Sequence, residues 1–552
     1  MYMVKVGGHK MVFRLGYFII FLFFMSPVFA KQSNEKYPLG MNLNGVSDWS
    51  TEMPFLNLVK QSRSWISQRR GSSWGKGGSL DLDENGWVRA LRVGQSADLI
   101  FLTVNQPLVF RRYVVLYKGE GIIRYSGAAR KVKRLGKGRD LISVSERGNR
   151  YAILSLKSTN PENYVRDIAI VPEEYLGEYL AGEKFNPIWL DYISNFYALR
   201  FMDWMKTNNS QEENWKNRPR VTDRSWASKG VPLEVMIELA NRTKSGAWFN
   251  MPHKADLAYI RRFAELTKQF LRPEIRIYVE HSNEVWNWSF QQAHYAKAEG
   301  KRLWGQEGNH FMQWHGMRSA KICDVWKSVF AGDEDRVICV LAVHPGWRGL
   351  EKAAIECPSW VKEGNNRCVD HDIDALAITG YFTGCLDGNA GWKQPSRIRD
   401  IRSWFSDADG GMKKAFLQTK REAYFPCTRS LTSLQEIYTY FANVAKKYNL
   451  QLYAYEGGQH ISVNGTQVQG DDSFVRFHLN FNRSDYMYKL TMNNFENWKA
   501  SGGALFMYYN DLFPPSKWGS WGSMDHLLDT DSPKARAIHE FSAGKDCWWT
   551  EC

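Results

Sequence analysis

From about residue 185 onward, two hydrophobic patterns take turns along the chain. Short runs of consecutive apolar residues read as buried strands, and stretches with apolar residues every three or four positions read as amphipathic helices. The strand-like runs cover residues 196–201, 247–251, 275–280, 337–343, 375–381, 450–455 and 504–509. Between them, Leu257, Ile260, Phe263 and Leu266 share one side of a helix over 256–270. Leu434, Ile437, Phe441, Val444 and Tyr448 share a face of another, with Thr432 and Gln435 at the spacing of a capping box. One more strand-like run, 39–43, lies near the start, although Pro38 and Gly40 suit a strand poorly. Residues 56–66 after it read as a helix.

Eight strands alternating with helices predict an α/β fold, a (β/α)8 TIM barrel. The alternation breaks between about residues 71 and 174. There, strand-like runs at 99–104, 113–117, 141–145, 152–156 and 167–171 are separated by Gly, Asn and charged turns, the texture of a β-sandwich. The chain is also longer than one ordinary domain. The expected organisation is a barrel start over 31–67, an inserted β-rich accessory domain over 68–178, and the rest of the barrel over 179–552.

The first thirty residues have a third texture. Lys5, Lys10 and Arg14 precede an apolar stretch at 15–24, and Val28-Phe29-Ala30 ends in small residues. This is the layout of a signal peptide over 1–30. Its apolar stretch is shorter than the roughly 20 residues of a spanning helix. A secreted or periplasmic protein is expected, without stable membrane insertion. The eight cysteines are all in the second half, and an even number in an exported chain predicts disulfides, with Cys357–Cys368 and Cys547–Cys552 closing short loops. They lack the close pairs of a zinc site, and no metal or cofactor is expected. The formal charge is +14, which falls to +11 without the three leader cations. Arg130, Lys131, Lys133, Arg134, Lys137 and Arg139 form one basic run, read as a solvated loop. Outside the cell, such an excess favours an anionic polysaccharide or acidic surface through long-range steering. No nucleic-acid motif is present.

In a (β/α)8 barrel the reactive groups stand at the C-terminal ends of the strands. That rule collects Arg200 and Asp203 after the second strand, Asn250, Met251 and His253 after the third, and Asn283 and Glu284 after the fourth. His344 follows the fifth, Tyr381 the sixth, Glu456 the seventh, and Tyr509 and Asn510 the eighth. Trp248, Trp286, Trp288, Trp347, Trp518 and Trp521 lie in or beside the same loops. Two glutamates ending two strands suit sugar cleavage, which needs one carboxyl to protonate the leaving oxygen and one to attack or to activate water. Glu280 competes with Glu284, but it lies inside a strand and is expected to form an ion pair in the barrel interior.

Asn283-Glu284, within the run YVEHSNEVWN, together with Glu456 resembles the strand-four and strand-seven pattern of clan A glycoside hydrolases. The same run is similar to secreted bacterial proteins described as cellulase-like or cellulose-binding. The resemblance covers roughly 37–64 and 185–540 and leaves out the β-rich block. It implies a retaining double displacement on a β-linked polysaccharide or oligosaccharide. Glu284 would be the general acid/base and Glu456 the nucleophile. Asn283 would hold the 2-hydroxyl, Tyr381 would hydrogen-bond the nucleophile, and Arg200 would favour its charged form. Asn250, His253, His344, Trp286 and Trp518 are expected to line the sugar subsites. The alternative is a non-catalytic carbohydrate-binding protein on the same barrel. Metal-dependent hydrolysis ranks behind both, because no His-x-x-x-His spacing occurs.

Overall fold

A computed structural model describes residues 36–146, 149–306, 308–388, 397–463, 466–544, 546–549 and 552. The expected signal peptide lies outside the described residues. Eight parallel strands close into a barrel: β1 (Gly40–Asn42), β2 (Ala198–Arg200), β3 (Gly246–Met251), β4 (Ile277–His281), β5 (Val337–Ala342), β6 (Ala375–Phe382), β7 (Gln451–Gln459) and β8 (Phe506–Tyr508). Strand β8 returns to β1, with Met41 opposite Tyr508. These are the eight strands the apolar runs predict, with modest shifts at their ends. The glycine in β1 has a steric cause: a Cβ at Gly40 would collide with the Met507 thioether on β8. The interior is filled by large side chains, among them Trp248 stacked on Tyr278 with ring centres 5.3 Å apart.

Helices cover the outside. Leu257–Phe270 starts at Asp256, whose carboxylate accepts the Tyr259 N–H, and it buries Tyr259, Ile260 and Phe263 while Leu257 stays exposed. Leu431–Lys447 starts at Ser430, whose hydroxyl oxygen accepts the Ser433 N–H. The capping box expected at Thr432 and Gln435 is therefore displaced. The Ser430 and Ser433 hydroxyls both engage Glu422, which fixes the helix start two residues earlier. Residues 56–66 are not a helix either. Only Leu58–Gln61 form a single 3₁₀ turn, and Ser62 ends it by folding its hydroxyl onto the Val59 carbonyl at 2.7 Å. Such local side-chain bonding competes with helix continuation, and a strand begins at Ile66.

The β-rich segment is inserted between β1 and β2. It forms two four-stranded antiparallel sheets. One has the order Ile66–Arg69, Gln95–Thr103, Tyr151–Thr159, Gly121–Gly127; the other has the order Arg166–Pro172, Arg112–Lys118, Arg139–Val144, Ala129–Gly136. Leu99, Phe101 and Leu154 of the first and Tyr113, Val115 and Ile142 of the second belong to one hydrophobic cluster that continues into the barrel. The Tyr125 hydroxyl crosses between the sheets to Asp140 at 2.9 Å. Residues Lys36–Cys552 form one compact unit. The basic run is a strand rather than a loop: Arg130, Lys131, Lys133 and Arg134 occupy the exposed edge strand Ala129–Gly136. Charged side chains on an edge strand discourage pairing with another chain.

All eight cysteines are paired: Cys323–Cys339, Cys357–Cys368, Cys385–Cys427 and Cys547–Cys552. Both short-loop pairs are those expected. Among the described residues no helix is long and apolar enough to cross a membrane.

Candidate active site

The site is organised by a cation in the barrel interior. Arg200 ends β2, in register with Asn42 on β1 and Trp248 on β3, and is fully buried. A guanidinium has five N–H donors and no acceptor, and each donor has a place here. Nε and Nη2 donate to Glu280 at 3.0 and 2.9 Å. Nη2 also reaches Asn283 Oδ1 at 2.9 Å, and Nη1 reaches Asn42 Oδ1 at 3.0 Å and Glu456 Oε1 at 2.7 Å. Glu280 forms the interior ion pair expected of it and also accepts from Trp248 Nε1 and Asn250 Nδ2, at 2.8 and 2.7 Å. Replacing Arg200 by Met would leave two buried carboxylates without their cation. Breaking such a pair costs about 3–5 kcal/mol, so Arg200→Met should lower the calorimetric melting temperature markedly. Adding Glu280→Gln should recover part of the loss. A melting curve identical to that of the native chain would remove Arg200 from this role.

Glu456 reaches the mouth of the barrel through a bulge. On β7, Ala454 pairs with Ile378 and Glu456 with Thr379, so Tyr455 is an extra residue without a partner on β6. On the other side, Ala454 pairs with Phe506 and Gly457 with Tyr508. A bulge re-aims side chains that strict alternation would send to opposite faces. Glu456 accepts from Arg200 at one oxygen and from the Tyr381 hydroxyl at the other, at 3.0 Å. Only 6% of it is exposed. Burial pushes its carboxyl up to about 8; Arg200 pulls the other way, and the charge of Glu284 adds to the rise. Arg200 favours the charged form, as expected of it, but desolvation outweighs the cation.

Glu284 lies in the turn after β4, with a φ of +43°, and Ser282 two residues earlier has a φ of +58°. Non-glycine residues adopt this region rarely, and only where the surroundings hold them there. Those surroundings are visible. Asn287 closes the turn with its N–H on the Glu284 carbonyl at 2.9 Å, and its side-chain amide donates to Glu284 Oε2 at 2.8 Å. The Tyr455 hydroxyl donates to Glu284 Oε1 at 3.0 Å. The bulge therefore places two neighbouring residues at the site: the Tyr455 hydroxyl donates to Glu284, and the Glu456 carboxylate accepts from Arg200.

Both glutamates line one cleft of about 1520 Å³. Asn283, Trp286, His344 and Tyr381 line it too, and Arg200 stands directly behind Glu456. Three other expected subsite residues are elsewhere. Asn250 is fully buried and spends its amide on Glu280 and the Ser282 carbonyl. His253 is buried against Tyr295, where desolvation lowers it to about 4. Neither lines the cleft. Trp518 is half-exposed but not part of the lining, whereas Trp521 is. Among the described residues the insertion contributes none of the cleft lining, which runs from Met202 to Trp521. Trp288, one of the loop aromatics, lines it as well, and Arg348, Arg429 and His460 line it without having been singled out for it. Among the described residues no cluster of His, Cys, Asp or Glu could hold a metal ion.

No family model matches the chain, and no curated protein matches it in sequence. Several solved structures resemble it. Xylanase 10B from Thermotoga maritima is 11% identical with a TM-score of 0.33, covering 64% of this chain and 92% of its own. Xylanase10C from Cellvibrio japonicus, a mutant in complex with xylopentaose, is 8% identical with a TM-score of 0.34, covering 88% and 98%. A metagenomic xyloglucan-specific endo-β-1,4-glucanase of the GH5 class, in complex with cellotriose, is 12% identical with a TM-score of 0.32, covering 64% and 85%.

Proposed function

We propose that this protein is a secreted or periplasmic glycoside hydrolase that cleaves β-linked polysaccharide or oligosaccharide with retention of configuration. The supporting observation is the pair Glu284 and Glu456, carried by β4 and β7 into one cleft and held by different partners. Glu456 is the nucleophile, and its charge is anchored by Arg200 and Tyr381. Glu284 is the general acid and then the general base, with only neutral donors on its oxygens. Asn283 keeps its carbonyl on Arg200 and one amide hydrogen on Asn208, at 3.1 Å, which leaves a second hydrogen for a sugar hydroxyl. Trp286 and His344 border the sugar. Retention requires carboxyl groups about 5–5.5 Å apart. The test is the anomer released first, read by NMR before mutarotation. The retained anomer is expected, and the inverted one would end this mechanism.

Protonation adds a second check. Burial pushes the Glu456 carboxyl up to about 8 against the pull of Arg200. A carboxyl attacks only when it is ionised. As pH rises through about 8, Glu456 loses its proton and kcat/KM should rise. A profile flat from about pH 6 to about pH 9 would contradict the assignment of Glu456 as the nucleophile.

A further inference from the structure

The β insertion holds a second concavity that the cleft chemistry does not use. It is a groove of about 720 Å³ on the sheet that begins with Ile66–Arg69. Three features of its lining stand out. The first is Trp74, with 58% of its surface exposed. Its loop is not left loose. The Gly75 N–H donates to Gln68 Oε1 at 3.1 Å, the Gly77 N–H to the Ser67 carbonyl at 3.0 Å, and Gln95 Nε2 to the carbonyls of Gly77 and Ser79. A large apolar face is thus held out to solvent by a fixed loop.

The second feature is a pair of buried polar atoms without hydrogen-bond partners, Gln68 Nε2 and Asp98 Oδ1. Asp98 is only 6% exposed, and the nearest cation to that oxygen is Lys157 Nζ at 3.9 Å. Buried polar groups are almost always satisfied, and an orphan calls for a cause. The third feature is charge. Arg69, Arg70 and Arg92 line the groove, and their side chains have no acidic partner among the described residues.

We propose that this groove is a second carbohydrate-binding site, for a uronate-containing segment of an acidic polysaccharide. Trp74 supplies a face for a sugar ring. Gln68 Nε2 supplies a donor and Asp98 Oδ1 an acceptor, which sugar hydroxyls satisfy because each both donates and accepts. A phosphate backbone offers only acceptors and would leave Asp98 Oδ1 without a donor. The three arginines match carboxylates on the sugar, since a guanidinium fork fits a carboxylate with two bonds. A neutral chain would leave those cations unused. The groove shares no residue with the cleft, so this site stands whether or not the cleft hydrolyses glycans. The inserted segment then acts as an accessory domain that holds polymer for the barrel.

The experiment is calorimetric titration of the full mature chain carrying Glu456→Gln, so that no probe is consumed. The probes are tetramers of glucuronate, galacturonate and mannuronate, with cellotetraose as the neutral counterpart. At least one acidic tetramer should bind, more weakly as salt rises from about 0.05 to about 0.5 M. Trp74→Ala, and separately a triple Gln variant of Arg69, Arg70 and Arg92, should each weaken it about tenfold or more. In the native background, both variants should keep the melting temperature and the rate on short soluble substrates. If no acidic tetramer binds, or if neither variant changes its affinity, the groove is not the site. If cellotetraose binds as tightly, the acidic class is wrong.

Discussion

Glu456→Gln should abolish turnover of every substrate, activated or natural, while the chain stays folded. Losing the nucleophile of a two-step mechanism should cost on the order of 10⁶ in rate, as it does in a serine protease, because no other group can form the covalent intermediate. Glutamine keeps the size of the side chain. Its carbonyl can still accept from Arg200 Nη1 or from the Tyr381 hydroxyl, which now share Glu456 at 2.7 and 3.0 Å. Arg200 also keeps Glu280, to which it donates through Nε and Nη2. Since burial already penalises the charged form of Glu456, a neutral isostere should leave the melting temperature within a few degrees of the native value. Rate assays on aryl glycosides and on polysaccharides, paired with calorimetry, separate the two effects. Residual turnover near the native rate on either substrate class would show that Glu456 does not attack.

The sequence made the scaffold legible because consecutive apolar runs and helical spacing are local signals. All eight barrel strands announce themselves this way, even β1, where the glycine that weakens the strand pattern is required by Met507. The insertion could be seen as β-rich, but its division into two sheets depends on pairings between distant strands. At the site, strand ends pointed to both glutamates and to Asn283, Trp286, Tyr381 and His344, which the fold gathers around one cleft. They failed for Asn250 and His253, because a residue at a strand end can face inward or outward, and burial beside Glu280 or Tyr295 is a tertiary fact. Tyr455 was invisible for a sharper reason. Neighbours on a strand face opposite ways, so a residue next to Glu456 should not serve the same site, yet at the unpaired register of Tyr455 its hydroxyl donates to Glu284. The effect of Arg200 on Glu456 was legible, but the desolvation that outweighs it was not, because burial is a property of the packed barrel rather than of the adjacent cation.

Glu284→Ala should behave differently from the nucleophile variant, and the difference identifies the acid. A general acid contributes about 10²–10⁴ in rate, so natural glycans, whose leaving sugar needs a proton, should slow by that order. Substrates with very acidic leaving groups need little protonation and should pass the first step at close to the native rate. The second step should then stall, because no base remains to activate water, and glycosyl-enzyme should accumulate as a burst. Azide should restore turnover, since an anion attacks without a base, and the product should be a glycosyl azide of retained configuration. The native enzyme should not respond to azide. The structure limits the substitute for Glu284. Glu280 is fully buried, and its carboxylate is occupied by Arg200, Trp248 and Asn250, so it has neither access to substrate nor a free oxygen. Native-rate hydrolysis of glycans by Glu284→Ala would sink the assignment. Glu280→Gln would then have to be tested despite that burial. Loss of both activity and fold in Glu280→Gln would place it in the support of Arg200, whereas loss of activity alone would make it the acid.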